Sequence, residues 1–423
     1  MKVDDALRIL PDVEAVSPMR SVLLSIARLA GGGWDSGAPY LTIGRRHIAP
    51  DELRRHIALL LPRVRDHLAS LWDGYVTALE CLEANRAADA VASLLANGQA
   101  EQGAGRPAQA RKWFEAACTV AAAIPERRPE LDALLARGQQ LLYLGFYEDS
   151  ARDYQRALAL AESEFAHEAA VSAAKGLGDV AVERGAWAGA RAWYARAARL
   201  ADTAHNPVWT ARVHHARAEL ARRAGDTASA REALHMAREI AERAADAHEM
   251  ARILATQGMN DAQAGLHARA SSALLEALAW SRRAEPDNGL VTFIHMQMAR
   301  VFLGQRRFLE AEHELRQAEA IAIAGAQVRR LAQVYSTFGD LRGRQGDETG
   351  FVFFEQALAL SRSLERWPIV EAHVLHEYAH FKQTFGYAEE AAAYLEQARR
   401  IFTELGATAD VELVQMEMRA AHP

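Results

Sequence analysis

A helix-breaking position recurs through most of this chain every 40 residues: Gly105, Gly145, Gly185, Gly225 and Gly265. Arg306 takes the next place after one extra residue, and Gly346 and Gly386 continue the series. A fixed period of this length specifies stacked copies of one supersecondary unit. Other positions keep step with the break. Seven residues before it stands a small residue: Gly98, Gly138, Gly178, Ala218, Gly258, Ala299, Gly339 and Ala379. Five after it come Ala110, Ser150, Ala190, Ala230, Ala270, Ala311 and Ala391, and nine after it the larger Phe114, Tyr154, Tyr194, Leu234, Leu274, Leu315 and Leu395. Twelve after it alanine returns at Ala117, Ala157, Ala197, Ala237, Ala277, Ala318 and Ala398, with Ala357 one residue early in the seventh copy.

This pattern describes a helical hairpin. Small residues belong where two helix backbones approach, and large ones fill the gaps between them. Glycine at the break permits the left-handed dihedrals that end the first helix. Apolar residues over 151–161 and 228–241 follow helical spacing, and no strand is expected between Asp89 and Leu405. Composition agrees, with 89 alanines in 423 residues against 39 glycines and prolines together. Alanine is the best helix former.

The stretch 173–198, AAKGLGDVAVERGAWAGARAWYARAA, carries Leu177, Gly178, Gly185, Trp187, Ala190, Tyr194 and Ala197. In these residues the chain resembles the tetratricopeptide repeat (TPR) family. The resemblance covers about eight repeats over residues 89–405. It implies an all-α, right-handed TPR superhelix (an α-solenoid), with the first helix of each repeat on the concave face. The period departs from the usual one of about 34 residues. The extra residues lengthen each helix by roughly a turn, as in the regulatory arrays of some bacterial activators and in kinesin light chains.

Residues 1–88 do not follow the repeat. A helix is expected over 17–30, a glycine-rich loop over 31–44 with Trp34 and Tyr40, and a helical run over 51–84 interrupted at Pro62. This segment is expected to be a helical bundle or cap, because the terminal repeats of a solenoid must hide an apolar face. A further helix near 411–418, within the tail 406–423, is expected to cover repeat eight. The net charge of −6 argues against a nucleic-acid partner. No apolar run is long enough for a membrane span, and the N-terminus lacks a signal-peptide core. Two cysteines, Cys81 and Cys118, suit a reducing cytoplasm. Cys118 reads as a small buried hydrophobe, and Trp113, Trp187 and Trp193 read as core.

By the same resemblance, concave-face positions fall 13, 10, 6, 3 and 2 residues before each break. They supply Lys175 and Asp179; Arg212, His215, Glu219, Arg222 and Arg223; Arg252 and Met259; Phe293, Met296 and Arg300; and Asp340 with Arg344. The middle of the groove is thus rich in arginine with apolar residues beside it. Guanidinium forks bind carboxylates and methionines repack around apolar groups, so an acidic and hydrophobic protein or peptide segment is the expected partner. Against this stands pairing of the arginines with Asp179, Glu219 and Asp340 as a solvated face. Lys175 matches one position of a chaperone-type carboxylate clamp, but Asp179 stands where that clamp has asparagine.

The sharpest local motif is HEYAH, His376–His380, a literal H-E-x-x-H. Two histidines one turn apart can bind zinc, with Glu377 to activate water. His373, His376 and His380 also fall on groove positions of repeat eight, and Ala379 is the expected close-packing residue. Glu396 and Glu404, the nearby candidates for a third ligand, belong to a second helix that faces away. These histidines are therefore expected to be groove residues, with no metal, no cofactor and no catalytic constellation. No phosphate-binding or nucleophile-elbow motif occurs. The expected function is a non-enzymatic protein-interaction scaffold. The alternative is a peptide- or ligand-responsive regulator resembling the Rap-type proteins, in which a helical bundle precedes a TPR array. A zinc metallopeptidase is the minor alternative.

Overall fold

The computed structural model describes residues 41–43, 46–48, 78, 81, 86–103, 107–284, 287–325, 327–362 and 367–421. The expected helix at 17–30, Trp34, Tyr40, Pro62 and Gly105 lie outside them. Seventeen helices are seen among the described residues. They are α1 (Ala87–Gly103), α2 (Pro107–Ala122), α3 (Arg127–Leu144), α4 (Tyr147–Ser163), α5 (His167–Glu183), α6 (Trp187–Ala204), α7 (Pro207–Arg223) and α8 (Thr227–Arg243). There follow α9 (Ala247–Gln263), α10 (His267–Ser281), α11 (Asn288–Gly304), α12 (Phe308–Ala324), α13 (Val328–Gln345), α14 (Gly350–Ser361), α15 (Pro368–Thr384), α16 (Ala388–Leu405) and α17 (Thr408–Ala421). Helices α1 to α16 are eight consecutive first-and-second helices in the expected register. The covering helix α17 starts three residues earlier than the sequence suggests.

One expectation is corrected. The segment read as a loop ends in a strand, β1 (Leu41–Ile43), which pairs antiparallel with β2 (Arg46–Ile48). Leu41 faces Ile48, Thr42 faces His47 and Ile43 faces Arg46. Threonine and isoleucine favour the pleated conformation, a preference that the glycines upstream masked.

The chain divides into two compact units, Met1–Gln140 and Leu141–Pro423. In the first, α1 packs on α2. In the second, six hairpins pack within themselves, from α5–α6 to α15–α16. Successive first helices also touch, α5 on α7 and onward to α13 on α15, which puts them on the inside of the curve.

The small and large positions of the repeat meet directly. A Cβ placed on Gly178 would lie 2.3 Å from the Tyr194 ring, one on Gly98 2.4 Å from Phe114, one on Gly339 2.4 Å from Phe354 and one on Gly258 2.6 Å from Leu274. Repeats with alanine at the first place (Ala218, Ala299, Ala379) carry leucine at the second (Leu234, Leu315, Leu395), and all six are buried. Three of these glycines thus face aromatic rings and the alanines stand opposite leucines, while Gly258 also faces a leucine. The alanines twelve after the break, and the small residues five after it, have no exposed surface. Trp113 and Cys118 are buried as expected. Trp187 is half-buried and packs, as expected, against the core around Tyr194 and Leu220, whereas Trp193, also half-buried, carries the Arg196 guanidinium on its ring at 5.6 Å.

Every described residue of the break series has positive φ, from 59° at Arg306 to 89° at Gly145. Half a period later a second left-handed set joins one repeat to the next, at Phe165, His205 and Ala245 (φ 49° to 54°). A left-handed non-glycine residue costs about 1–2 kcal/mol, and glycine returns up to about 1 kcal/mol of that as unfolded-chain entropy. Arg306 is exposed, so Arg306→Gly is expected to stabilise the protein by about 0.5–1 kcal/mol in urea unfolding. A loss of stability would show that the Arg306 side chain outweighs the strain.

The second unit also closes on itself. Arg329 of α13 donates to the Tyr143 carbonyl at 3.4 Å and stacks on the Tyr143 ring at 4.2 Å. Tyr143 meets Trp367 edge-on, with ring centroids 5.3 Å apart. The Thr408 hydroxyl donates to the Arg184 carbonyl. A Cβ on Gly185 would lie 2.6 Å from Ala409. In an open solenoid each repeat touches only its neighbours; here residues some two hundred positions apart form a seam.

Candidate functional site

The inner face of the second unit collects the polar side chains of the first helices. At one end, Lys175 pairs with Asp179 at 2.7 Å. The Tyr194 hydroxyl donates to the same carboxylate at 2.7 Å. Burial, and then Asp179 itself, push that hydroxyl well above its usual range. Asp179 thus anchors the ring that covers Gly178.

The next repeat is a dense charge network. Glu219 accepts from Arg222 at 2.6 Å and from Arg223 at 3.1 Å, and Arg223 reaches back to Glu183 at 2.8 Å. Burial pushes the Glu219 carboxyl up, but the hydrogen bond and charge of Arg222, with Arg223, outweigh it and hold it below the usual range.

At the centre lies Glu249, 1 % exposed. Its carboxylate lies 2.6 Å from His215 Nδ1, 3.1 Å from Arg252 and 3.8 Å from Arg212. An ionised carboxylate only accepts, so His215 Nδ1 donates to it. His215 Nε2 hydrogen-bonds the Thr256 hydroxyl at 2.9 Å. Burial disfavours the charge on Glu249, but Arg252, the His215 hydrogen bond and Arg212 together hold the carboxyl far below its usual value. Glu249 is hard to recognise from sequence, because Asp246 and Glu249 stand three apart at a helix start. That spacing reads as a capping box, and Asp246 does accept from the Glu249 N–H at 2.9 Å.

Further along, Met259 and Phe293 are half-buried, and the Arg330 guanidinium sits 5.0 Å over the Phe293 ring. Arg300 lies 3.7 Å from Glu377 of α15, and Arg344 pairs with Asp340 at 2.9 Å. Two of the expected groove residues do not face the groove. Met296 is 2 % exposed, in the core with Phe338 and Leu341. His215 is buried, because its ring bridges Glu249 and Thr256. The remaining arginines reach solvent but hold carboxylate partners, as the solvated-face alternative supposes; Arg252 and Arg300 keep 43 % and 44 % of their side chains exposed.

In repeat eight the H-E-x-x-H residues diverge. His376 Nε2 lies 2.6 Å from the Glu417 carboxylate of α17, and His380 Nε2 lies 3.4 Å from it. Glu377 turns instead to accept from the Ser336 hydroxyl of α13. His373 is exposed and packs edge-on against Phe402, with ring centroids 5.0 Å apart. Glu396 pairs with Arg399 on its own helix at 2.5 Å. The sequence also missed Lys382. This buried amine lies within 4.7 to 5.6 Å of the Phe351, Tyr378, Tyr387 and Tyr394 ring centroids and pairs with Glu390 at 2.7 Å. It is an internal cation–π staple for repeats seven and eight.

No helix among the described residues is long and apolar enough to cross a membrane. No protein-family model matches the sequence, and no curated protein does. Solved structures are similar. A Rap protein complexed with competence and sporulation factor matches at TM-score 0.50 and 14 % identity, over 79 % of this chain and 98 % of that one. The apo form of the quorum sensor NprR from B. thuringiensis matches at 0.46 and 10 %, over 79 % and 99 %. Kinesin light chain TPR-like repeats of Podosopora anserina match at 0.36 and 18 %, over 47 % and 97 %. With the 40-residue helical hairpins and their interlocked small and large residues, the likeness to the Rap protein assigns this chain a TPR-like fold.

Proposed function

We propose that this protein is a non-enzymatic interaction scaffold that binds a protein or peptide segment on the inner face of its second unit, with residues 1–88 and α17 as end caps. The observation that carries this is the row of half-exposed arginines, Arg252 and Arg300, beside the half-buried Met259 and Phe293. Arg300 stands 3.7 Å from Glu377, beyond hydrogen-bond distance, so its N–H groups remain available to an incoming carboxylate. A segment with alternating acidic and apolar side chains matches both features. Arg212 is the weaker candidate: it shares Glu249 with Arg252, and less of its side chain is exposed, 35 % against 43 %.

The seam favours a second version of the same function, a ligand-responsive regulator. Closure rests on Arg329, Tyr143, Trp367 and Thr408, a small set of contacts between distant repeats. A ligand that binds the open and closed forms unequally shifts that balance.

The test is capture from native lysate by wild type beside Arg252→Ala/Arg300→Ala, followed by titration of the captured segment as a labelled peptide. The variant is expected to bind at least about tenfold more weakly, as charge-assisted hydrogen bonds are worth more than neutral ones. Equal binding would move the site off the inner face. A ligand-dependent fall in radius of gyration, or a rise, would favour the regulator.

A further inference from the structure

The three polar atoms that meet between α15 and α17 have the dimensions of a metal site. His376 Nε2 and His380 Nε2 are 3.3 Å apart. The Glu417 carboxylate lies 2.6 Å from the first and 3.4 Å from the second. Zinc bonds of about 2.0–2.1 Å in a tetrahedron place neighbouring ligand atoms about 3.3 Å apart. Two of the three separations already have this value, and the third needs only a small shift of one carboxylate. Hydrogen bonding serves the cluster less well. His376 can give its Nε2 proton to Glu417, and that leaves nothing between the two imidazole nitrogens. A single cation among the three satisfies all of them.

From these distances we propose that His376, His380 and Glu417 bind one divalent transition-metal ion of the zinc class. Two imidazoles and one carboxylate suit zinc or its neighbours rather than magnesium or calcium, which prefer all-oxygen shells. His380 is half exposed and leaves the fourth position open to solvent. The same placement separates the site from a metallopeptidase. Its would-be base, Glu377, is held by Ser336 on the neighbouring α13 and faces Arg300. The third ligand comes from the C-terminal helix, beyond both glutamates that the sequence offered. The site also has a structural consequence. Helix α17 begins at the seam, where Thr408 and Ala409 meet Arg184 and Gly185. A metal tying Glu417 to α15 therefore pins the helix that carries the closure.

The test is calorimetric titration of zinc into chelator-stripped full-length protein, with no partner present, so that it stands apart from the scaffold proposal. About one equivalent, bound more tightly than about 1 µM, is expected. Cobalt in its place is expected to give the intense visible absorption of a four-coordinate ion. His380→Ala and Glu417→Gln are each expected to weaken zinc at least about tenfold, while His373→Ala and Glu377→Gln leave it unchanged. His380→Ala removes a half-exposed ring, so it keeps the test decisive if Glu417→Gln fails to fold by circular dichroism. Absence of a saturable equivalent, or one that survives His380→Ala with equal affinity, would overturn the site.

Discussion

Glu249→Gln is expected to destabilise the protein by about 2 kcal/mol at pH 7, measured by urea unfolding. The carboxylate is buried among His215, Arg252 and Arg212. Hydrogen bonds to a charged group are worth about 1.5–3 kcal/mol, and Arg252 and Arg212, 43 % and 35 % exposed, keep solvent in place of the lost carboxylate. The amide keeps the shape and one acceptor, hence the lower end. The pH dependence carries the same signature. Although burial opposes the charge, the cations and the His215 bond depress the folded-state value far below the unfolded value of 4.5. The stabilisation is therefore complete above about pH 4.5 and is lost as pH falls toward the folded value. Wild type is expected to lose stability steeply below pH 4.5, and Glu249→Gln to lack that part of the slope. Parallel acid curves would show that other carboxylates control acid unfolding.

Gly178→Ala is expected to cost about 2 kcal/mol, although alanine favours helix over glycine by about 1 kcal/mol. The new methyl would stand 2.3 Å from a Tyr194 ring carbon. The ring is buried and pinned at its hydroxyl by Asp179, so it cannot swing clear, and overpacking of this kind costs about 1–3 kcal/mol. Other repeats supply the remedy: alanine at this place is matched with leucine, as in Ala218 with Leu234. Tyr194→Leu alone loses a hydrogen bond and ring volume. In the double variant the added methyl meets the smaller side chain. A double-mutant cycle is therefore expected to give a favourable coupling of about 1–2 kcal/mol. Additive effects would mean that the two positions do not share one packing site.

The repeat lattice was legible because each requirement falls on a fixed residue type. A left-handed break asks for glycine, and seven of the described breaks comply in geometry even where Arg306 stands. A close backbone approach asks for glycine or alanine, and Ala157, Ala197 and Ala237 are wholly buried as expected. The site was less legible. His215 and Met296 sit at groove positions by register, but the turn of each helix carries them inward. The left-handed joints at Phe165, His205 and Ala245 escaped notice because no residue type marks them. The short strands near residue 45 escaped because a glycine-rich flank outweighed three-residue patterns.

The sequence by itself determined the period, the helix pairing within each hairpin and the size match across it. These are contacts between residues about sixteen apart, repeated until the pattern is unmistakable, as in Gly178 with Tyr194 and Gly258 with Leu274. Only the tertiary structure decided that Arg329 would reach Tyr143, that Thr408 would meet Arg184, and that Glu417 would complete the pair His376 and His380. The first two depend on the small rotation between one repeat and the next, summed over several repeats, and the third on how α17 seats beside α15 one period later. No local spacing encodes that sum, because it is set by how whole helices seat against one another.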